Sequence, residues 1–314
     1  MVTTLEPRRV ECVVRGSDQL GETPLWCERE RLLWWLDIER PALQWFDPAS
    51  GRHERLPVDG CTYLGSQALC DDGSRLLALD LSLQRRDAGS GGLSHFARVE
   101  QGLDNRLNDG RVDARGRLWV GTMDNQLHRP QGALYRVDPD GSVHRVLDGV
   151  IVSNGIAFSP DQRTMVFTDT RRHLRWRFDL DIEAGTLSNQ RVFADHTATK
   201  ERPDGTCVDA DGCLWTAFFA GGRVERQRPD GEVDLVVPLP VTNPTCVCFG
   251  GADLRTLYIT TATKFLSPAQ RAAEPLAGSL FAVHGIGAGL PEHRFGQLQP
   301  RQPPAAPPPQ ERRR

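Results

Sequence analysis

Short apolar runs recur along the chain at a nearly constant interval, and most of them end in a polar residue. The central residues of successive runs lie 43, 42, 47, 49 and 43 positions apart. The six runs are RLLWWLD (31–37), SRLLALD (74–80), GRLWVGT (116–122), RTMVFTD (163–169), GCLWTAF (212–218) and RTLYITT (255–261). Five of them directly follow a turn signal, and most are followed by further strand-like segments that end in Asp, Pro or Gly. The pattern predicts a repeating unit of about four short strands.

Repetition of such a unit every 42 to 49 residues is typical of the blades of a β-propeller. Packing of blade against blade around an axis buries both faces of each sheet, which explains apolar runs in place of strict alternation. Two stacked β-sandwich domains would also explain the strands, but not the interval. We therefore predict an all-β fold, a six-bladed β-propeller with four-stranded blades, over residues 17–296. No long helix is predicted, because the nearest candidate, residues 268–276, is interrupted by Pro275.

Composition changes this picture only at the two ends of the chain. Of 314 residues, 30 are glycine and 22 are proline, an abundance that agrees with many turns. Residues 297–314 are rich in Pro and Arg and predict a disordered tail, while residues 1–16 are assigned to an N-terminal segment before the propeller. The net charge is -3, and the tail carries a positive surplus, so the remaining body is acidic.

Several classes of protein are excluded by what the chain lacks. An acidic body offers no footprint for a phosphate backbone, so no nucleic-acid partner is expected. We expect no membrane partner and a cytoplasmic protein, because neither a long apolar run nor an apolar signal core occurs. The eight cysteines form no CxxC pair, which predicts reduced thiols. No HExxH, GxSxG or Walker A motif is present, which disfavours a histidine-rich zinc site, a serine-hydrolase elbow and a nucleotide site.

The interval also selects one position in each repeating unit. Eleven or twelve residues before the centres of the six runs stand Glu22, Gly65, Asn108, Asn154, Asp204 and Cys246. In a propeller, equivalent positions of equivalent strands form a ring around the axis. If these positions lie at one end of the innermost strands, carboxylate and carboxamide groups from different blades converge at one mouth of the central channel.

Three members of this ring have the chemistry of a metal site. Glu22, Asn154 and Asp204 offer two carboxylates and one amide oxygen, which suit a hard divalent cation with water completing its shell. Two neighbouring negative charges are costly without a counter-ion. The alternative is that Asn154 and Asp204 are ordinary turn residues and that Glu22 is an exposed acid.

A second group stands in the segment NRLNDG (105–110). Arg106 and Asn108 are two apart in a predicted strand and would face the same side, where they could donate to oxygens of a polar ligand. The alternative is an arginine paired with an acid at a blade edge and an asparagine in a hairpin turn. Asp109 precedes a glycine in a strong turn dipeptide, and we assign it a structural role.

Five motifs stand in the chain in a consistent order. They are LGETPLW (20–26), NRLNDGRVDARGRLWVGTMD (105–124), VSNGIAFSPD (152–161), PDGTCVDADGCLW (203–215) and LPVTNPTCVCFGGADLRTLYITTA (239–262). Together they resemble the motifs of the gluconolactonase/regucalcin (senescence marker protein) family, and the resemblance covers roughly residues 17–296. It implies a six-bladed propeller with one divalent metal ion in the central channel.

The resemblance also implies roles for individual residues. By position in the motifs, the metal ligands are Glu22, Asn154 and Asp204, and the residues that contact a sugar are Arg106 and Asn108. In some family members an acidic residue shortly after the sequence GTM also binds sugar. The aligned segment here reads DNQ (124–126), and its last residue, Gln126, becomes a further candidate for substrate binding.

The implied activity is hydrolysis of a sugar lactone, such as a glucono-, xylono-, galactono- or arabinonolactone, to the open aldonic acid. The metal would polarise the lactone carbonyl, and Asp204 is the candidate general base, with water activated by the metal as the alternative. Ca²⁺, Mg²⁺, Mn²⁺, Zn²⁺ and Fe²⁺ are all open. We expect a small-molecule substrate and a monomer or weak homo-oligomer. Two rival functions remain: a non-enzymatic, metal-binding regulatory propeller and a hydrolase of organophosphate-type esters.

Overall fold

The computed structural model describes residues 2–296 and places most of them in short strands. Two strands precede the first complete sheet: β1 (Thr3–Thr4) and β2 (Glu11–Val14), with one turn of 3-10 helix between them at Pro7–Arg9. The strands β3 to β25 and one short helix, α1 (Pro268–Ala273), follow.

Six sheets of consecutive antiparallel strands form the blades, and the first strand of each blade in the sequence is the innermost one. Blade one is β3 (Gly21–Cys27), β4 (Leu32–Asp37), β5 (Ala42–Phe46) and β6 (His53–Pro57). Blade two is β7 (Leu64–Leu69), β8 (Arg75–Leu79), β9 (Ser82–Arg86) and β10 (Leu93–Arg98). Blade three is β11 (Asn105–Val112), β12 (Leu118–Asp124), β13 (Gly132–Val137) and β14 (Val143–Val150).

The remaining three blades complete the ring. Blade four is β15 (Ser153–Phe158), β16 (Thr164–Asp169), β17 (Leu174–Asp181) and β18 (Thr186–Asp195). Blade five is β19 (Arg202–Val208), β20 (Leu214–Phe219), β21 (Arg223–Gln227) and β22 (Val233–Pro238). Blade six is β23 (Pro244–Gly250), β24 (Thr256–Thr261) and β25 (Leu280–His284). Each innermost strand contacts the innermost strands of the blades on either side, so the prediction of a six-bladed β-propeller is confirmed.

The N-terminal segment closes the ring. β2 pairs antiparallel with β25 and is the outermost strand of blade six, while β1 pairs in parallel with β22 of blade five. The two ends of the propeller are thereby joined by hydrogen bonds, and the edge of blade six is covered. Residues 1–16 are predicted to precede the propeller, but β2 is the fourth strand of its last blade. The predicted tail, residues 297–314, lies outside the described residues.

The six apolar runs of the sequence are the second strands of the blades, which are buried between their neighbours. Three of the tryptophans on these strands are buried, and each indole nitrogen donates to an aspartate close to one end of the innermost strand of its own blade, before that strand for Asp18 and after it for Asp113 and Asp209. The pairs are Trp35–Asp18 (2.9 Å), Trp119–Asp113 (2.8 Å) and Trp215–Asp209 (2.9 Å). The repeated bond satisfies the polar atom of a side chain that otherwise packs in the core.

The aspartates that end several of these runs anchor the chain where it enters an innermost strand. Their carboxylates accept hydrogen bonds from backbone amides just before or at the start of that strand. The pairs are Leu20–Asp37 (3.0 Å), Tyr63–Asp80 (2.9 Å) and Val152–Asp169 (3.1 Å). This bond holds the entrances of blades one, two and four in the same way. The entrances of blades one and four lead directly to the predicted site residues Glu22 and Asn154.

Helical structure is confined to short turns. α1 begins after Ser267, whose hydroxyl and backbone amide form reciprocal hydrogen bonds with Gln270, and it ends before Pro275. Within residues 2–296, no helix has the length and apolar character needed to cross a membrane.

Candidate functional site

The six positions selected by the repeat lie where the innermost strands depart from regular pairing. Every innermost strand has a shift of register with its neighbour at the same level of the blade. The shifts fall at Glu22/Leu25, Leu64/Ser66, Leu107/Gly110, Asn154/Ala157, Pro203/Thr206 and Pro244/Cys246. A β-bulge re-aims side chains, and here it repeats around the channel axis, which explains how residues far apart in sequence converge.

A cavity of about 80 Å³ opens at this mouth of the channel. The predicted residues Glu22, Arg106, Asn108, Asn154 and Asp204 all line it. The other lining residues are Leu20, Ile38, Met123, Leu127, Val152, Thr170, Arg171, Arg202, Phe219, Lys264 and Phe265. The structure therefore brings together side chains from blades one, three, four and five, as the phase of the repeat predicts.

Gln126, the remaining predicted site residue, lies elsewhere. Its side chain is exposed, and its amide nitrogen donates to Asp104 at 3.2 Å on the surface of blade three. The cavity is instead lined at this loop by Leu127, whose backbone has φ of 62°. The alignment of residues that follow the GTM motif therefore does not identify the side chain with which this loop lines the cavity.

A chain of hydrogen bonds orients Asn154. The hydroxyl of Thr170 donates to the carbonyl of Pro203 at 2.7 Å, so it can only accept from the amide nitrogen of Asn154, 2.8 Å away. The amide oxygen of Asn154 accepts one bond, at 2.8 Å, from Asn108. Because a carbonyl oxygen has two lone pairs, this oxygen keeps one for a ligand.

Asn108 has a more limited role than the sequence indicates. Its amide nitrogen donates to both the side chain of Asn154 and the carbonyl of Ser153, each at 2.8 Å, which uses its two protons. Its oxygen accepts from Nη1 of Arg106 at 2.6 Å. Asn108 therefore cannot donate to a ligand, and its main effect is to hold Asn154 and Arg106 in place.

The guanidinium of Arg106 is positioned by neutral groups. Nη1 also donates to the backbone carbonyl of Leu107 at 3.2 Å, and the group lies over the ring of Tyr63, 5.3 Å from its centre. No carboxylate forms an ion pair with Arg106 in the described part of the chain. Burial lowers the pKa of Arg106 below its ordinary value, although the fields of nearby acids partly restore it.

Neither carboxylate of the cavity forms an ion pair with another described residue. Burial, and then the negative charge of Asp109, raise the pKa of Glu22 to about 8, although the amide of Thr23 and the charge of Arg106 oppose the shift. Burial and the negative charges of Glu22 and Asp109 likewise raise the pKa of Asp204 well above its usual range. Both groups are thus held where their ionised forms are unfavourable.

These properties fit a divalent cation held by Glu22, Asn154 and Asp204. Two acids that are destabilised by burial would be stabilised by a cation, and the amide oxygen adds a neutral hard ligand. In residues 2–296 no cluster of three or more His, Cys, Asp or Glu side chains suits a metal. The two carboxylates of this cavity are thus joined by a ligand of a different type, the amide oxygen of Asn154.

The backbone beside the predicted ligands adopts unusual conformations. Thr23, which follows Glu22, has φ of 45°, and Gly155, which follows Asn154, has φ of 55°. A Cβ atom on Gly205, which follows Asp204, would lie 2.2 Å from the sulfur of Cys246. Strained or closely packed backbone at equivalent points of three blades is typical of a functional site, where geometry outweighs local stability.

Asp109 lies deeper in the channel and has a structural contact. It stands within β11 rather than in a hairpin turn, and its carboxylate accepts a hydrogen bond from the backbone amide of Ile156 at 2.8 Å. This bond joins blade three to blade four beneath the cavity. Its negative charge still acts on both Glu22 and Asp204.

The opposite mouth of the channel is covered. The chain after β25 crosses it, forming one bridge between Gly289 and Asp209 and another between Phe295 and Cys70. On this segment Glu292 forms an ion pair with Arg111 of β11, with Oε1 2.8 Å from Nη1. Both side chains are largely buried, with 14% and 16% of their surfaces exposed.

Residues 20–263 match the family model of the SMP-30/Gluconolactonase/LRE-like region. A 6-deoxy-6-sulfogluconolactonase of Pseudomonas putida is 39% identical over 289 residues, covering 91% of this chain and 98% of that protein. Regucalcin of Gallus gallus is 35% identical over 296 residues, covering 91% and 98%. Among solved structures, a calcium-binding protein, regucalcin, from Agrobacterium tumefaciens has a TM-score of 0.86 at 32% identity, covering 90% of this chain and 96% of that one. The similarity therefore extends over the whole propeller.

Proposed function

This chain belongs to the SMP-30/gluconolactonase/LRE-like family, and on that premise we propose that it is a lactonase that hydrolyses a sugar lactone to the open aldonic acid. The observation that carries the proposal is the pair of buried, uncompensated carboxylates, Glu22 and Asp204, in an open cavity beside Arg106. A pure ion site needs no arginine with unused donors next to it. A cavity that combines two carboxylates with an arginine is suited to binding a polar, uncharged acyl group.

The cation that fits this cavity would be held by Glu22, Asn154 and Asp204, with Ca²⁺, Mg²⁺, Mn²⁺, Zn²⁺ and Fe²⁺ as candidates. When bound, it supplies Lewis-acid polarisation of the lactone carbonyl. Asn108 supports this arrangement by fixing the amide oxygen of Asn154.

We assign Asp204 the role of general base. Its carboxylate lines the cavity, where it can accept a proton from a water molecule beside the bound lactone. Water loses a proton to Asp204 as its oxygen attacks the lactone carbonyl carbon. The bond from that carbon to the ring oxygen then breaks, the ring oxygen takes the proton, and the aldonic acid leaves.

The remaining residues position the substrate. Arg106 keeps Nε and Nη2 for sugar oxygens, whereas Asn108 can only accept through its oxygen. Of the described residues that line the cavity, none is a serine, cysteine or histidine, the hydroxyl of Thr170 donates to the carbonyl of Pro203, and the ammonium of Lys264 pairs with Glu39. Direct attack by water therefore suits this site better than a covalent acyl intermediate.

The test is acid release from a panel of five- and six-carbon aldonolactones by protein that has been stripped with a chelator. Each candidate cation is added back singly, and the spontaneous rate is subtracted. Hydrolysis that depends on one cation, and that Asp204→Ala abolishes, supports the proposal. No hydrolysis above the spontaneous rate for any lactone and any cation would overturn it.

A second candidate function is binding of a divalent cation without catalysis. It is favoured by the 32% identical structure described as a calcium-binding protein. Calorimetric titration of the stripped protein with Ca²⁺ would then show tight binding that Glu22→Gln weakens, in a protein that releases no acid from the lactone panel.

A further inference from the structure

Two arginines that line the cavity form no ion pair with any acid among residues 2–296. Arg171 lies in the turn after β16 of blade four, and Arg202 begins β19 of blade five. The hydrogen bond from Thr170 to the carbonyl of Pro203, at 2.7 Å, joins the residues directly adjacent to them. The two side chains therefore start from neighbouring points on the same side of the cavity.

Neither guanidinium is neutralised within the described part of the chain. Nε of Arg171 donates to the carbonyl of Leu127 at 2.9 Å, and its Nη groups form no ion pair. The side chain of Arg202 forms no hydrogen bond or ion pair there. By contrast Arg172, the next residue in the same turn, pairs with Asp169 at 3.3 Å.

The acids closest in sequence are already occupied. Glu201, beside Arg202, pairs with Arg223 and accepts a bond from the ring of His196. Asp169 accepts backbone amides at the entrance of β15. Two like charges that line the same cavity, with no ion pair among the described residues, create a positive potential that favours an incoming anion.

The whole cavity shows the same excess of positive charge. Its lining includes four cationic side chains, Arg106, Arg171, Arg202 and Lys264, against the two acids Glu22 and Asp204. Lys264 pairs with Glu39, so the cationic lining side chains without an ion pair among the described residues are Arg106, which is held by Asn108, and the two arginines Arg171 and Arg202. The cavity at the covered mouth is balanced, with Arg111 paired to Glu292.

We propose that the substrate is a sugar lactone with an anionic group on the carbon remote from the lactone carbonyl, bound there by Arg171 and Arg202. This rests on the function proposed above. The group would be a sulfonate, phosphate or carboxylate, since planar guanidinium groups bind such oxyanions through two hydrogen bonds. The apolar side chains of Leu127, Phe219 and Phe265 would cover the carbon skeleton, and Phe265 is held 64% exposed at the rim with φ of 63°.

The test compares kcat and KM of the metal-loaded full-length enzyme on neutral and charged lactones. The substrates are glucono-1,5-lactone and three charged relatives: its 6-phosphate, its 6-deoxy-6-sulfonate and glucaro-1,4-lactone. Arg171→Gln and Arg202→Gln should each reduce kcat/KM on a charged lactone about tenfold to hundredfold, mainly through KM. Activity on the neutral lactone should change less than about threefold, and the matched control Arg172→Gln should behave as the wild type.

A binding measurement separates this proposal from the lactonase activity itself. Titration calorimetry with gluconate and 6-phosphogluconate should show tighter binding of the phosphorylated acid, by about tenfold or more, in the wild type but not in Arg202→Gln. The wild type's best charged substrate identifies which anion is accepted. Equal kcat/KM for neutral and charged lactones, unchanged by either substitution, would overturn the proposal while lactone hydrolysis stands. Absence of turnover on every lactone would instead overturn the proposed function.

Discussion

At the covered mouth of the channel, Arg111 and Glu292 form an ion pair and a segment of chain lies across them. At the open mouth, the buried acids Glu22 and Asp204 form no ion pair within residues 2–296, and neither do Arg171 and Arg202. The same six strands build both ends. What differs is whether each buried charge has its partner within the protein.

This difference separates stability from function. A buried ion pair that is complete adds little free energy, but removal of one partner is strongly destabilising. A buried charge without a partner costs stability from the start, and it persists where a ligand supplies the partner. The open mouth is therefore expected to gain stability and lose activity when its acids are neutralised. The covered mouth is expected to lose stability and keep activity when its acid is neutralised.

The largest effect is expected from Asp204→Asn. Loss of the general base should reduce kcat on the best lactone by at least about a hundredfold. In metal-free protein at pH 8, removal of an uncompensated negative charge should raise the free energy of unfolding by about 1–3 kcal/mol, as measured by urea denaturation. Normal activity in this variant would show that Asp204 is neither ligand nor base.

The second prediction concerns the covered mouth. Glu292→Gln removes the carboxylate that pairs with the largely buried Arg111. We therefore expect the free energy of unfolding to fall by about 2–3 kcal/mol, with lactone turnover unchanged. The double variant Arg111→Met, Glu292→Leu should recover much of the loss. As a control, Asp71→Asn breaks an exposed ion pair with Arg29 and should cost less than about 1 kcal/mol. A large loss of activity in Glu292→Gln would contradict the separation of the two mouths.

The third prediction uses pH to detect the uncompensated acids. Glu22 has a raised pKa in the fold, about 8 against an ordinary 4.5, so the folded metal-free protein binds more protons than the unfolded chain between these values. Its unfolding free energy should therefore fall as pH rises from about 4.5 to 8 and level off above. In Glu22→Gln this slope should be smaller, and a saturating divalent cation should restore stability to the wild type at pH 8. Thermal melts across this range, with and without chelator, give the comparison.

Much of the architecture is predictable from the chain. The interval between apolar runs indicates the number of blades, because each run is a second strand that must be buried between neighbours. The phase of the repeat indicates which residues reach the mouth, because the bulge recurs at the same level of every innermost strand. Glu22, Asn154 and Asp204 are therefore found without any local motif.

Contacts between blades are not predictable in this way. The protons of Asn108 are taken by Asn154 and a carbonyl of the next blade, and nothing in the segment NRLNDG indicates those partners. Glu201, the acid next to Arg202 in the sequence, pairs instead with Arg223 at the start of β21, two strands away in blade five. Each of these outcomes depends on how loops and strands of different blades meet, which spacing along the chain does not encode.

The smallest effects are expected at Asp109, which lies between the two mouths and influences the charges of both. Asp109→Asn keeps an oxygen for the amide of Ile156 and should change unfolding free energy by less than about 1 kcal/mol, whereas Asp109→Ala leaves that buried amide without a partner and should cost about 1–3 kcal/mol. Because Asp109 raises the pKa of Glu22, removing its charge should lower that pKa and change kcat by less than about tenfold. Urea denaturation and lactone turnover of both variants measure these effects. If Asp109→Asn lost activity as completely as Asp204→Asn, the negative charge of Asp109 would take part in the reaction. The functional part of the channel would then extend below the cavity to Asp109.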